Sequence, residues 1–84
     1  MIERLSIIVP VYNEVGTVRA VLDRLVSIDL PVPRELLVVD DGSTDGTGDT
    51  LAALQRELGF QYFPQPRNMG KGAAVRRGFD EVTG

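Results

Sequence analysis

The chain is 84 residues long, room for a single small domain over 1–84, and domains of this size bury only about 60–65% of their unfolded surface. Its 9 basic and 12 acidic side chains leave a net charge of −3, which argues against a nucleic-acid partner and gives a phosphate-bearing ligand no bulk attraction. Cysteine and histidine are absent, so disulfides, thiolate or imidazole metal sites and histidine acid–base chemistry are excluded.

The opening "MIERLSIIVP" sets Glu3 and Arg4 before a short apolar run and reads as neither a signal peptide nor a membrane span. "LSIIVPVY", Leu5–Tyr12, is continuous, apolar and β-branched, the pattern of a strand buried on both faces. Pro10 sits near its end, where a missing ladder donor matters least. "NEVGTVRAVLDRLVSI" follows, with Val18, Val21, Leu22, Leu25 and Ile28 at helical spacing and Arg19, Asp23 and Arg24 between them. Pro31 and Pro33 in "DLPVPRE" stop that helix. "LLVVD" is a second buried strand. "GSTDGTGDT" is a loop feeding a second helix, on which Leu51, Leu54 and Leu58 share a face and Gly59 is the stop. "FQYF", Phe60–Phe63, reads as a short third strand, closed by "PQPRNMGKG". The last helix runs roughly from Ala73 to Val82 and sets Val75, Phe79 and Val82 on one face.

The order β-α-β-α-β-α, with strands too apolar to face water, predicts parallel pairing through right-handed crossovers. The fold class is therefore α/β, an open Rossmann-like half-sheet. The pattern ends on a helix after "FDEVTG", with no strand returning to the free side of the first. One backbone edge, carrying Ile7, Ile8 and Val9 and no lysine, is thus expected to be open to self-association.

In open α/β sheets the ligand crevice lies beyond the carboxyl ends of the strands. "PVYNE", "DDGSTDG" and "PRNMGKG" all fall there. Two adjacent acids at the end of a buried strand are costly unless something uses them. Asp40 reads as the strand end satisfied by loop N–H groups, with Gly42 and Gly46 as turn residues and Ser43, Thr44 or Asp45 as helix caps. Asp41 reads as functional, an acceptor for a base or ribose at the strand's edge. Asn13 is expected to cap the first helix, whereas Tyr12 and Glu14 either belong to an ordinary helix start or flank a ligand. The glycines around Lys71 suit an anion at a helix N-terminus, but the spacing is not that of a P-loop. Arg67, Arg76 and Arg77 read as a solvated face.

Taken together, "IIVPVYNE", "LLVVDDGSTDGT" and "RNMGKGAAVRRGF", in this order and at these separations, resemble the start of the family 2 glycosyltransferases of GT-A fold. The branch resembled is that of the dolichyl- and polyprenyl-phosphate sugar transferases, over Leu5 to about Gly84. The resemblance implies a hexosyltransferase-type enzyme that binds a nucleoside-diphosphate sugar, GDP- or UDP-linked, and passes the sugar to an acceptor such as a polyprenyl or dolichyl phosphate. It implies a cytoplasmic location, at the membrane surface for a lipid acceptor. It implies nucleotide contacts at Pro10, Tyr12, Glu14, Val39 and Asp41, with Asp40 bracing the loop. It also implies a divalent metal, Mg or Mn, whose Asp-x-Asp ligands lie on the next strand of the family, beyond Gly84, as does the catalytic base. No catalytic or metal-ligating residue is therefore assigned, and the 84 residues alone are expected to be inactive, the N-terminal part of an incomplete glycosyltransferase domain. Two other readings compete: a receiver-like signalling domain, which would carry its acid pair after the first strand, and a non-catalytic remnant.

Overall fold

The computed structural model describes residues 5–29 and 31–82. Glu3 and Arg4, Leu30 in the linker, and the tail at Thr83 and Gly84 fall outside those residues. The elements alternate as β1 (Leu5–Val11), α1 (Val18–Ser27), β2 (Arg34–Asp40), α2 (Thr47–Leu58), β3 (Gln61–Pro64) and α3 (Lys71–Glu81). The strands form one parallel sheet in the order β1-β2-β3. The apolar runs thus become neighbouring strands joined by helical crossovers, as their composition requires.

Strand β2 is central and is buried from Glu35 onward, with Leu37, Val38 and Val39 at zero exposure. Strand β1 is an edge, and its residues from Ser6 to Pro10 are only partly buried. The predicted burial on both faces is correct for β2 and incomplete for β1, because nothing among the described residues pairs with its outer side.

The two faces of the sheet are packed differently. Ile7, Val9 and Val11 of β1 with Leu36 and Val38 of β2 meet Val18 and Leu22 of α1 and Leu51 and Leu54 of α2. Each leucine buried there stabilises the fold by about 1.5–3 kcal/mol. Helix α2 ends where a glycine permits it: Gly59 takes φ 79 and donates its N–H to Gln55 O at 2.9 Å. Val21 and Ile28, expected on the apolar face of α1, are 42% and 41% exposed, and Ile28 lies past the helix end in extended backbone. Arg19 joins the two helices by donating to both oxygens of Glu57 at 2.9 Å.

Helix α3 covers the opposite face and corrects the sequence reading. Its sheet-facing residues are Ala74 and Gly78, while Phe79 is 68% exposed. A Cβ on Gly78 would fall 3.0 Å from Ile8 Cγ1 and closer still to Cγ2. Small residues bring the helix down onto the sheet, which turns Phe79 of the predicted stripe outward and leaves Val75 and Val82 half-buried. On this same face the buried Glu35 accepts hydrogen bonds from Ser6 Oγ at 2.8 Å and Gln61 Nε2 at 2.7 Å, tying the three strands at their amino ends.

Candidate functional site

Three loops meet beyond the carboxyl ends of the strands, and the β2–α2 loop in the middle is bonded to both neighbours. Toward the β1–α1 loop, Asn13 N–H donates to Ser43 Oγ and Thr44 N–H to Asn13 Oδ1, each at 2.8 Å. Glu14 N–H donates to Thr47 Oγ1 at 3.0 Å and Val15 N–H to Asp45 Oδ2 at 3.3 Å. Asn13 adopts φ 50, a left-handed conformation that asparagine tolerates. It is not the helix cap expected of it. Asn13 is committed to the neighbouring loop, and Thr17, which occupies the cap position, turns its hydroxyl to the Glu14 carboxylate and makes no side-chain cap bond.

Helix α2 departs from its expected caps in the same way. Its cap position is Gly46, at φ 94, and neither Ser43, Thr44 nor Asp45 bonds there as a side-chain cap. Asp45 closes a local turn instead, accepting the Thr47 N–H at 3.0 Å and the Thr47 hydroxyl. The Thr47 hydroxyl above all, with the Thr47 and Val15 N–H groups, holds the Asp45 carboxyl below the ordinary carboxylate range.

The paired acids are buried, each at 4% exposure. Asp40 Oδ1 accepts the Ser43 N–H at 3.1 Å and the Ser43 hydroxyl at 2.5 Å, so it braces its own loop. Beneath it, burial and the charges of Asp40 and Asp49 raise the Tyr62 phenol above its ordinary value. Asp41 reaches the other way: its Oδ1 accepts the Met69 N–H at 2.8 Å and its Oδ2 the Gly70 N–H at 3.0 Å. Hydrogen-bond donors to both carboxylates offset the repulsion of adjacent charges. The costly pair is used, first of all, to hold loops.

Between the β1–α1 and β3–α3 loops opens a crevice of about 480 Å³. Pro10, Tyr12, Glu14 and Asp41 all line it. Tyr12 is 42% exposed and offers a flat apolar face. The Glu14 carboxylate accepts the Thr17 hydroxyl at 3.4 Å and is otherwise directed to solvent. Val39 is not brought there by its side chain, which is fully buried; in register it lies between Pro10 and Phe63. Asn68, Gly70 and Lys71 complete the wall, at the N-terminus of α3. In the sequence Lys71 carries only a lone Gly-Lys-Gly anion signal, and the one sign of Asn68 is its place in the loop after the third strand.

Arg77 is not a phosphate clamp. Its guanidinium lies 5.2 Å from the centre of the Phe63 ring, donates to Gln65 at 3.2 Å and pairs with Glu81 at 3.7 Å. Arg67 and Arg76 are exposed, as a solvated face requires. Among the described residues no three His, Cys, Asp or Glu converge as a metal would need. Asp40 and Asp45 are engaged by N–H and O–H donors and Asp41 by two backbone N–H groups, so this set does not fit a resident metal. Among the described residues no helix is long and apolar enough to cross a membrane.

Comparison with known proteins places this geometry. The family described as glycosyl transferase family 2 matches residues 6–84. An undecaprenyl-phosphate 4-deoxy-4-formamido-L-arabinose transferase from Serratia proteamaculans is 36% identical over 87 residues, covering 99% of this chain and 27% of that protein. The chain thus spans about a quarter of the length of the curated relatives it matches. The mannosyltransferase PcManGT from Pyrobaculum calidifontis, solved with GDP-Man and Mn²⁺, superposes with a TM-score of 0.83 at 31% identity, over 95% of this chain and 24% of that one. TarS from S. aureus superposes with a TM-score of 0.82 at 29% identity, over 96% of this chain and 15% of that one.

Proposed function

The chain belongs to glycosyl transferase family 2, and on that premise we propose that its crevice binds the nucleoside diphosphate of a sugar donor, GDP- or UDP-linked. The observation that carries this reading is the convergence of Pro10, Tyr12, Glu14 and Asp41 with the α3 N-terminus around one cavity. Tyr12 would stack on the base, and Asp41 and Glu14 would accept from base or ribose donors. Lys71 and the first turn of α3 would attract the diphosphate, compensating for the net charge of −3. Val39 would contribute from beneath, supporting Pro10 through the strand pairing.

The proposal extends to sugar transfer from that donor, with a lipid phosphate such as a polyprenyl or dolichyl phosphate as acceptor, on the cytoplasmic membrane surface. Supporting it, the Serratia relative is named for a transferase acting with undecaprenyl phosphate. A divalent metal, Mg or Mn, belongs to the same proposal for the complete enzyme; the P. calidifontis neighbour was solved with Mn²⁺. The residues of this crevice do not themselves fit such an ion. A receiver domain would need its acid pair after β1, whereas the pair follows β2.

Titration of ¹⁵N-labelled chain with UDP, GDP and their sugars tests the reading. Saturable amide shifts at Tyr12, Glu14, Asp41 and Lys71 are expected for one base over the other. Shifts scattered over the surface, or none with any nucleotide, would remove it.

A further inference from the structure

The middle loop's grip on the β3–α3 loop depends on Gly42, a residue outside the crevice lining. Gly42 has φ 76, and a Cβ there would sit 2.6 Å from Arg67 Cα and closer still to the Arg67 carbonyl carbon and the Asn68 nitrogen. The peptide joining Arg67 to Asn68 therefore occupies the volume that any side chain at position 42 would need. The residues before it complete the hold. The Asp40 carbonyl accepts the Gln65 N–H at 2.7 Å, and the Asp41 carboxylate takes the Met69 and Gly70 N–H groups at 2.8 and 3.0 Å. Three consecutive residues of one loop thus seat the segment from Gln65 to Gly70 of the other. Besides these bonds the segment holds the Arg77 guanidinium on Gln65 at 3.2 Å and an internal bond from the Gly70 N–H to Asn68 Oδ1 at 3.0 Å.

Resting on the nucleotide-site reading above, we propose that Gly42 is a positioning residue for donor binding, acting through the Arg67–Asn68 peptide to set the wall formed by Asn68, Gly70 and Lys71. The absence of a side chain lets the two backbones meet, and the wall stands where that contact places it. Any Cβ pushes the peptide outward, and the start of α3 follows because Gly70 is its cap. The crevice then loses its width and the direction of its N-terminal dipole, with no contact to the ligand removed.

Gly46 supplies the matched control. It too has positive φ, at 94, but a Cβ there would meet only Val15 Cγ2 at 3.9 Å. Alanine at either position carries left-handed strain; only alanine at 42 displaces the wall. Gly42→Ala and Gly46→Ala in the full 84-residue chain are compared by thermal melting, by ligand-free ¹H–¹⁵N spectra and by titration with UDP and GDP. Both variants should lose melting temperature to left-handed strain, Gly42→Ala more, because its Cβ also meets the Arg67–Asn68 backbone. Gly42→Ala alone should shift the amides of residues 67–71 and weaken nucleotide binding roughly tenfold or more. Equal binding losses in the two variants, or unmoved 67–71 amides in Gly42→Ala, would overturn the proposal. If the wild-type chain binds neither nucleotide, the nucleotide reading fails, while the ligand-free amide shifts still decide whether Gly42 sets the wall. Should Gly42→Ala not fold, the wild-type chain decides: an NOE between Gly42 Hα and the Asn68 N–H is required, and its absence rejects the contact.

Discussion

Asp41 holds Gly70: its carboxylate accepts the Gly70 N–H at 3.0 Å across 29 positions of sequence. The same carboxylate lines the crevice, so one side chain both seats a loop and faces the ligand volume. The carboxylate of its neighbour Asp40 instead accepts from the N–H and hydroxyl of Ser43 in its own loop.

Asp41→Asn is therefore expected to weaken nucleoside binding more than Asp40→Asn, by about 1.5–3 kcal/mol if a charged hydrogen bond is lost. An asparagine amide would also turn a donor toward one of the two N–H groups it must accept. Calorimetry of the two variants with the preferred nucleotide checks this, and equal losses would reverse the assignment of the acids.

Metal dependence should be slight. Because no three metal-ligating side chains converge among the described residues, nucleotide affinity of this chain should change little between EDTA and excess Mg²⁺ or Mn²⁺. A strong requirement in calorimetry would mean that Asp40, Asp41 or Asp45 leaves its present partners to bind the ion.

Acid should loosen the β1–α1 loop late. The Asp45 carboxyl is held below its ordinary range by Thr47 and Val15, so the folded state favours its charged form. The stability it contributes is complete above its unfolded value and is lost as pH falls through the lower, folded one. Asp45→Asn should flatten that part of the acid limb in melts recorded across the carboxylate range. An unchanged limb would show that the bonds to Thr47 and Val15 do not persist in solution.

The open edge of β1 should take a second copy of this chain. Arg77 marks the β3 side of α3 by its contact with Phe63, and Phe79, about 200° further round the helix, projects from the other flank. Beyond Phe79 the helix rim carries exposed Arg76 and Asp80, which an antiparallel copy of α3 would bring into opposite-charge register. Light scattering across a concentration series should show association that Phe79→Glu diminishes. A monodisperse monomer with fully protected Ile7–Val9 amides would refute it.

What could be read from the sequence alone was whatever neighbours along the chain decide. The runs at Leu5–Tyr12 and Leu36–Asp40 read as strands, and Leu51, Leu54 and Gly59 specified where α2 packs and stops. Burial, periodicity and a glycine's left-handed turn are local properties. The family motifs also located four crevice residues, since parallel strands bring their carboxyl ends together whatever their register. The tertiary structure alone decided how those ends are joined. Asn13 serves Ser43 and Thr44 rather than α1, 30 and 31 positions away, and Asp41 serves Met69 and Gly70. The facing of α3 was equally hidden: Phe79 has the greater hydrophobicity, but Gly78 has the smaller radius, and close approach to Ile8 selected the smaller residue. Hydrogen-bond partners and packing distances across such separations exist only once the chain has folded, because no local preference encodes which distant backbone will arrive.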